Sequence, residues 1–127
     1  MHPLTSHWYA GWSLILAGFV VGSILGLFFH QPEFMGGYGS FPRRLVRLGH
    51  IALIALGMLN LLFAVSVHFT SAPHLLTAAS VSLLVGSVAM PAMCFLTAWR
   101  PAFRHGFAVP VLALVLAVAL VLIGGLP

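Results

Sequence analysis

Apolar residues fill four long stretches of the chain, and polar residues fall mainly between them. A membrane-spanning helix needs about 20 mostly apolar residues, and four segments meet that requirement: residues 11–30, 45–67, 75–99 and 107–126. Gln31-Pro32 and Arg100-Pro101 end the first and third segments, because a proline disfavours helical geometry in the residue before it. The pattern predicts an all-α fold, an integral membrane four-helix bundle that forms one transmembrane domain over residues 1–127.

Ser40 carries the clearest signal for a helix start. It precedes Phe41 and Pro42, and a serine hydroxyl can accept a hydrogen bond from a free backbone N–H in the first helical turn. Proline is tolerated in that turn, where its missing N–H has no partner to lose. We therefore predict Ser40 as the N-cap of the helix that contains the second span.

The composition excludes a water-soluble domain. Of the 127 residues, 61% are hydrophobic and only 5% are charged, whereas soluble domains carry roughly 25% charged residues. The same apolar content excludes a disordered chain. The five arginines are too few to form a continuous basic face, so nucleic acid is not an expected partner. Cys94 is the only cysteine, so no disulfide can form within the chain.

All the positive charges fall at one end of the predicted bundle. The arginines are Arg43, Arg44, Arg47, Arg100 and Arg104, and the single acid is Glu33. Loops rich in arginine stay in the cytoplasm, which predicts cytoplasmic loops at residues 31–44 and 100–106 and both termini on the non-cytoplasmic side. The expected location is a bacterial inner membrane.

Small and polar residues mark the helix contacts. Gly18, Gly22 and Gly26 repeat the GxxxG pattern on one face of the first span, where missing side chains let another backbone approach. Their partner is a neighbouring span, a second copy of the chain or another protein. Asn60 lies within the second span and is expected to form a hydrogen bond with a serine of the third span, the candidates being Ser80, Ser82 and Ser87.

His50 is the most distinctive of the seven histidines. The other six are expected at water interfaces, whereas His50 lies inside the second span on a stripe with Arg43 and Arg47. An ionisable residue within the membrane indicates a functional site. A neutral imidazole can ligate haem iron, and arginines can pair with propionates. The pattern allows a b-type haem near the cytoplasmic leaflet, with His30 or His105 as a second ligand. A structural histidine that is hydrogen-bonded to a neighbour is the alternative.

Two further kinds of ligand, one at the arginine stripe and one on the third span, are compatible with the sequence. With Arg44, the same stripe could hold a phospholipid head group or a quinone oxygen. Met90, Met93 and Cys94 lie within one helical turn of the third span, and soft sulfur ligands suit Cu(I). Methionines also fill ordinary packing gaps, and the sequence favours that interpretation over copper.

No complete catalytic set is visible in the sequence. The spans contain no carboxylate, and no nucleophile–base set or phosphate-binding glycine loop is present. Whether the chain is an enzyme therefore stays open, and the pattern favours a protein without catalytic activity. The sequence instead favours a small subunit of a larger membrane complex, respiratory or otherwise redox-active. The alternative is a homo-oligomeric channel or transporter with a pore lined by Asn60 and the third-span serines. Expected partners are membrane lipids, including anionic ones, and either another protein or further copies of the chain.

Overall fold

The computed structural model describes residues 3–69 and 72–124, and both ranges are almost entirely helical. The four α-helices are α1 (Pro3–Phe29), α2 (Phe41–Ser66), α3 (Pro73–Trp99) and α4 (Ala108–Gly124). Short 3-10 helices follow α1, α2 and α3, at Phe34–Gly36, Val67–Phe69 and Pro101–Phe107. Each of four helical segments is long and apolar enough to cross a membrane. The predicted all-α class and the four spans are therefore confirmed, apart from residues 125 and 126, which lie outside the described residues.

The first helix begins well before the predicted span. It starts at Pro3 rather than near residue 11, and a proline is compatible with the first turn of a helix. Trp8, Tyr9 and Trp12 lie exposed on its outer side, as aromatic side chains do where a span meets the membrane interface. The extension carries His7 into the bundle on the opposite side of the same helix, where it is fully buried.

The helices pack as antiparallel neighbours in chain order. Close contacts pair the middle of α1 with the middle of α2, and Gly49 of α2 lies against Cys94 and Phe95 of α3. Gly86 of α3 lies against Leu114 of α4. α2 and α3 form the centre of the molecule, with α1 packed on α2 and α4 packed on α3. The connections at residues 30–40 and 100–107 therefore lie at the same end, called the arginine end below.

Glycines bring α1 and α2 into backbone contact. A Cβ atom added at Gly57 would lie 2.8 Å from the carbonyl oxygen of Gly11, and one added at Gly11 would lie 2.9 Å from that of Gly57. Gly18 and Gly22 make room for the side chains of Ile54 and His50 on α2. Such close approach increases the dispersion contact on which membrane helices depend.

Gly26 lies outside this contact, although it continues the same four-residue spacing. It is exposed, and a Cβ atom there would meet no other atom within 4 Å. Within one chain, the close approach of α1 to α2 therefore uses Gly11, Gly18 and Gly22.

Two glycines and a helix cap shape the connection between α1 and α2. Gly36 and Gly37 have φ angles of 85° and 91°, in the left-handed region where glycine carries no steric cost. Ser40 then caps α2 as predicted, because its hydroxyl oxygen accepts the backbone N–H of Arg43 at 3.3 Å. The turn places Tyr38, which is exposed, next to the first turn of α2.

Gly57→Ala and Gly26→Ala form a matched pair that tests the contact between α1 and α2. Overpacking costs roughly 1–3 kcal/mol, so we expect Gly57→Ala to lower the free energy of unfolding by about that amount. Gly26→Ala adds its methyl group to open space and should leave stability unchanged or raise it by up to about 1 kcal/mol, because alanine favours helix. Unfolding in mild detergent measures both variants, and equal effects would contradict the described contact.

Candidate functional site

A buried cluster of hydrogen-bonded side chains joins three of the helices. It consists of His7 on α1, Asn60 on α2, and Ser80 and Ser87 on α3, and is called the polar core below. His7 Nδ1 lies 2.6 Å from Asn60 Oδ1, and His7 Nε2 lies 2.8 Å from Ser80 Oγ. Asn60 Nδ2 donates to Ser87 Oγ at 2.7 Å and to the backbone carbonyl of Leu56 at 2.8 Å. The polar core thus links α1, α2 and α3 directly.

The hydrogen-bond partners assign the protons in the polar core. The carbonyl of Leu56 can only accept, so the NH₂ group of Asn60 must face it, and Oδ1 must face His7. Because Oδ1 is an acceptor, His7 carries its proton on Nδ1 and donates it to Asn60. In the neutral ring, Nε2 then accepts the hydroxyl proton of Ser80. Every ring nitrogen and amide group therefore has a partner.

The polar core is closed to the surroundings. His7, Asn60 and Ser87 are 0% exposed and Ser80 is 7% exposed, and the His7 ring packs on Phe63 with 4.3 Å between ring centroids. These side chains line no channel within the described chain, because they fill the space between the helices and bond to one another. The arrangement therefore gives no support to a pore lined by Asn60 and third-span serines. Its chemical effect is to hold helices together.

His7 is the member of the polar core that the sequence analysis missed. Six histidines, including His7, were expected at water interfaces, and for His7 that expectation is wrong. The signal that could have found it is spacing: His7, Gly11 and Gly18 share one helix face, so a helix that extends to Pro3 turns His7 toward α2. His2 lies outside the described residues.

His50 lies at the contact between α1 and α2, nearer the arginine end. A Cβ atom at Gly22 would collide with its imidazole ring, so the ring packs directly on the backbone of α1. Nδ1 is buried and has no hydrogen-bond partner, whereas Nε2 is not among the enclosed atoms. Nε2, which also lies close to Gly22 of α1, is the ring nitrogen that is not fully enclosed.

Arg43 is committed to the end of α1. Its guanidinium donates to the carbonyl oxygens of Phe29, Gln31 and Pro32 at 2.6–3.3 Å, and the residue is only 3% exposed. The Phe29 carbonyl is one that the end of α1 leaves without an intrahelical partner, and a cation is favourable there. The other two carbonyls belong to the connection that follows. Arg43 thus closes α1 and has no free face for a second ligand.

The residues predicted to hold a haem are not brought together around one cavity in the described chain. A metal-ligating histidine almost always donates its other ring N–H to a partner, and the buried Nδ1 of His50 has none. Arg43 is occupied by carbonyls, and His30 and His105 are exposed in the connecting segments. Neither of the two main clefts is lined by His50: one of about 180 Å³ lies between α2, α3 and α4, and a more open one of about 470 Å³ lies along α4. Both are almost wholly apolar.

The sulfur-bearing side chains of α3 pack against different elements. Met93 Sδ lies against Gly106, in the connection to α4, whereas Cys94 is fully buried beside Gly49 of α2. Met90 is half-buried. This arrangement is typical of methionine and cysteine as packing residues, and it gives the copper prediction no support.

The described residues contain no group of three or more histidine, cysteine or carboxylate side chains placed to hold a metal ion. Comparisons with protein-family models, with curated proteins and with solved structures find no match. The functional inference therefore depends on the residues themselves: a closed polar core, and at the arginine end a half-buried histidine with Arg44 and Arg47.

His7→Leu tests the polar core, because it removes both hydrogen bonds and leaves Asn60 Oδ1 without its donor. A buried polar group without a partner costs about 1–3 kcal/mol, so we expect a loss of that size in unfolding free energy. His68→Leu, at an exposed histidine of the described chain, is the matched control and should change stability little. A cycle with Asn60→Leu should be less than additive, since the two residues share one bond. Full additivity would contradict the network.

Proposed function

We propose that this chain is a small integral membrane subunit that assembles with other proteins in a larger membrane complex, respiratory or otherwise redox-active. The observation that carries this proposal is how the polar groups are distributed. Four of the buried polar side chains bond to one another in the polar core, and the 180 Å³ cleft beside them is almost wholly apolar. The side chains of Arg44 and Arg47 have no hydrogen-bond partner in the described chain and lie at the arginine end, near the half-buried His50.

The outer helices offer large surfaces for assembly. α1 exposes Leu16, Phe19 and Val20 along its length, and α4 exposes Leu112 and Val115. In lipid, helices associate through close packing and polar contacts, and Gly26 and Ser23 supply small residues on the exposed part of α1. Gly18 and Gly22 are already occupied by Ile54 and His50 of the same chain, so a close contact of this helix with another protein would use Gly26.

A haem belongs to this proposal only as a group shared with a partner. His50 Nε2 would supply one ligand, and Arg47 would supply a cation for a propionate. The second axial ligand and the enclosing cavity would come from the other protein, because the described chain provides neither.

The proposed orientation follows from charge. All five arginines lie at the arginine end or in the first turns beside it, and such residues remain in the cytoplasm during insertion. With four spans, both termini then lie on the non-cytoplasmic side of a bacterial inner membrane.

Photo-crosslinking in native membranes tests the subunit assignment. A photoreactive residue placed at Leu16 on α1 or at Val115 on α4, both exposed, should crosslink to a protein of different mass from at least one position. The same residue at Leu56, which is buried, is the matched control and should give no intermolecular product. Oxidised and dithionite-reduced spectra of the purified complex then show whether it holds haem, and loss of the Soret band in His50→Ala would assign that haem to this chain.

Crosslinks only between copies of this chain would contradict the subunit proposal. A purified homo-oligomer that conducts a solute in liposomes would support a channel instead. In that case the pore would be formed by residues other than Asn60 and its serine partners, because these are enclosed in the polar core.

A further inference from the structure

The arginine end carries unbalanced positive charge. Among the described residues, no arginine forms an ion pair with Glu33, the single acid in the sequence. The two terminal nitrogens of Arg43 donate to backbone carbonyls, but the side chains of Arg44 and Arg47 have no hydrogen-bond partner in the described chain. An arginine next to a membrane span attracts anionic groups at the membrane surface, so these two side chains are free to bind one.

The first turns of α2 hold Arg47 in place. Its guanidinium lies over the ring of Tyr38, 4.7 Å from the ring centroid, while that of Arg43 lies 5.5 Å from the same ring. Cation–π contacts of this kind orient a guanidinium without using its N–H donors. Arg44 lies about one turn earlier on the helix and is exposed. Both guanidinium groups are therefore carried by the N-terminal part of α2, where the partial charge of the helix is positive.

An exposed apolar stripe continues from Arg44 down α2. Leu48, Ile51, Ala55 and Met58 follow it at helical spacings of three and four residues, and all four are exposed. No other helix of the described chain covers this side of α2. The surface therefore presents cations at the end of the span and a continuous apolar strip within the span.

The other two arginines lack these features. Arg104 Nε lies 3.5 Å from Nε2 of the adjacent His105, and the guanidinium of Arg100 lies over Trp99, which is itself 76% exposed. Both arginines are in or beside the 3-10 segment Pro101–Phe107, before α4 begins. They add charge to the same face of the membrane, but neither lies on an α-helix, because Arg100 follows α3 and Arg104 precedes α4.

We propose that Arg44 and Arg47 bind the phosphate of an anionic glycerophospholipid whose acyl chain lies along the exposed stripe of α2. Guanidinium groups pair with phosphate oxygens through two parallel N–H donors, and the phosphate lies close enough to the span for its chain to contact Leu48 and Ile51. The stripe distinguishes this site from one for free phosphate, which would need only the arginines. The inference is independent of the subunit proposal.

Native mass spectrometry of the full chain, released from vesicles of phosphatidylcholine and phosphatidylglycerol, tests the site by counting retained lipids. Each arginine near an anionic surface contributes about 1 kcal/mol, so Arg44→Gln/Arg47→Gln should weaken phosphatidylglycerol retention about 25-fold. Arg100→Gln/Arg104→Gln removes the same charge from the same face and should retain the lipid. Equal loss from both double variants would show general charge attraction and overturn the site.

Two further measurements keep the result interpretable. If the Arg44/Arg47 variant melts lower than the wild type in phosphatidylcholine, Arg44→Gln alone replaces it and should weaken retention about fivefold; unchanged retention would overturn the proposal. Excess inorganic phosphate should leave phosphatidylglycerol bound, because phosphate cannot replace the acyl contacts. Complete displacement by phosphate would instead assign the arginines to a soluble anion.

Discussion

A hydrogen bond between a histidine and an asparagine inside an apolar bundle is the interaction on which this structure depends. Lipid offers no partner to an imidazole or an amide, so polar groups at that depth must satisfy one another. His7 and Asn60 do so together with Ser80 and Ser87, and the four side chains belong to three helices. Dispersion forces favour many helix arrangements of similar energy, whereas this network is complete in one register. It therefore specifies how α1 lies against α2 and α3.

The two ends of the molecule differ in what they can do. Away from the arginine end, the side chains of the polar core are enclosed and bonded to one another, and the glycines of α1 and α2 let the backbones meet. At the arginine end, Arg43 is occupied by the carbonyls that end α1, while Arg44, Arg47 and His50 Nε2 remain available. This difference between the two ends supports the proposal of a subunit that meets lipid and protein partners at the arginine end.

The sequence predicts the helices better than it predicts their contacts. Span length, hydropathy and the Ser40 cap depend only on residues that are close in the sequence, so they can be predicted from the sequence itself. An asparagine in an apolar span indicates a cross-helix hydrogen bond, and Asn60 has one to Ser87. His7 could not be placed in the same way, because its burial depends on α1 extending to Pro3 and on the rotation of that helix against α2. The sequence pattern made Arg43 look like a ligand-binding residue. Its partners in the structure are backbone carbonyls, and because every residue has one, the sequence pattern does not show which of them an arginine will contact.

The protonation of His7 tests the polar core most directly. Asn60 Oδ1 can only accept, so the structure requires a proton on Nδ1 of His7 and, in the neutral ring, a bare Nε2 that accepts from Ser80. Nitrogen-15 NMR of histidine-labelled protein in bilayers distinguishes the tautomers, and His7→Leu identifies the resonance. We predict one imidazole with an Nδ1–H that is protected from solvent exchange and loses this protection in Asn60→Leu. An Nε2–H tautomer, or rapid exchange in the wild-type chain, would contradict the account.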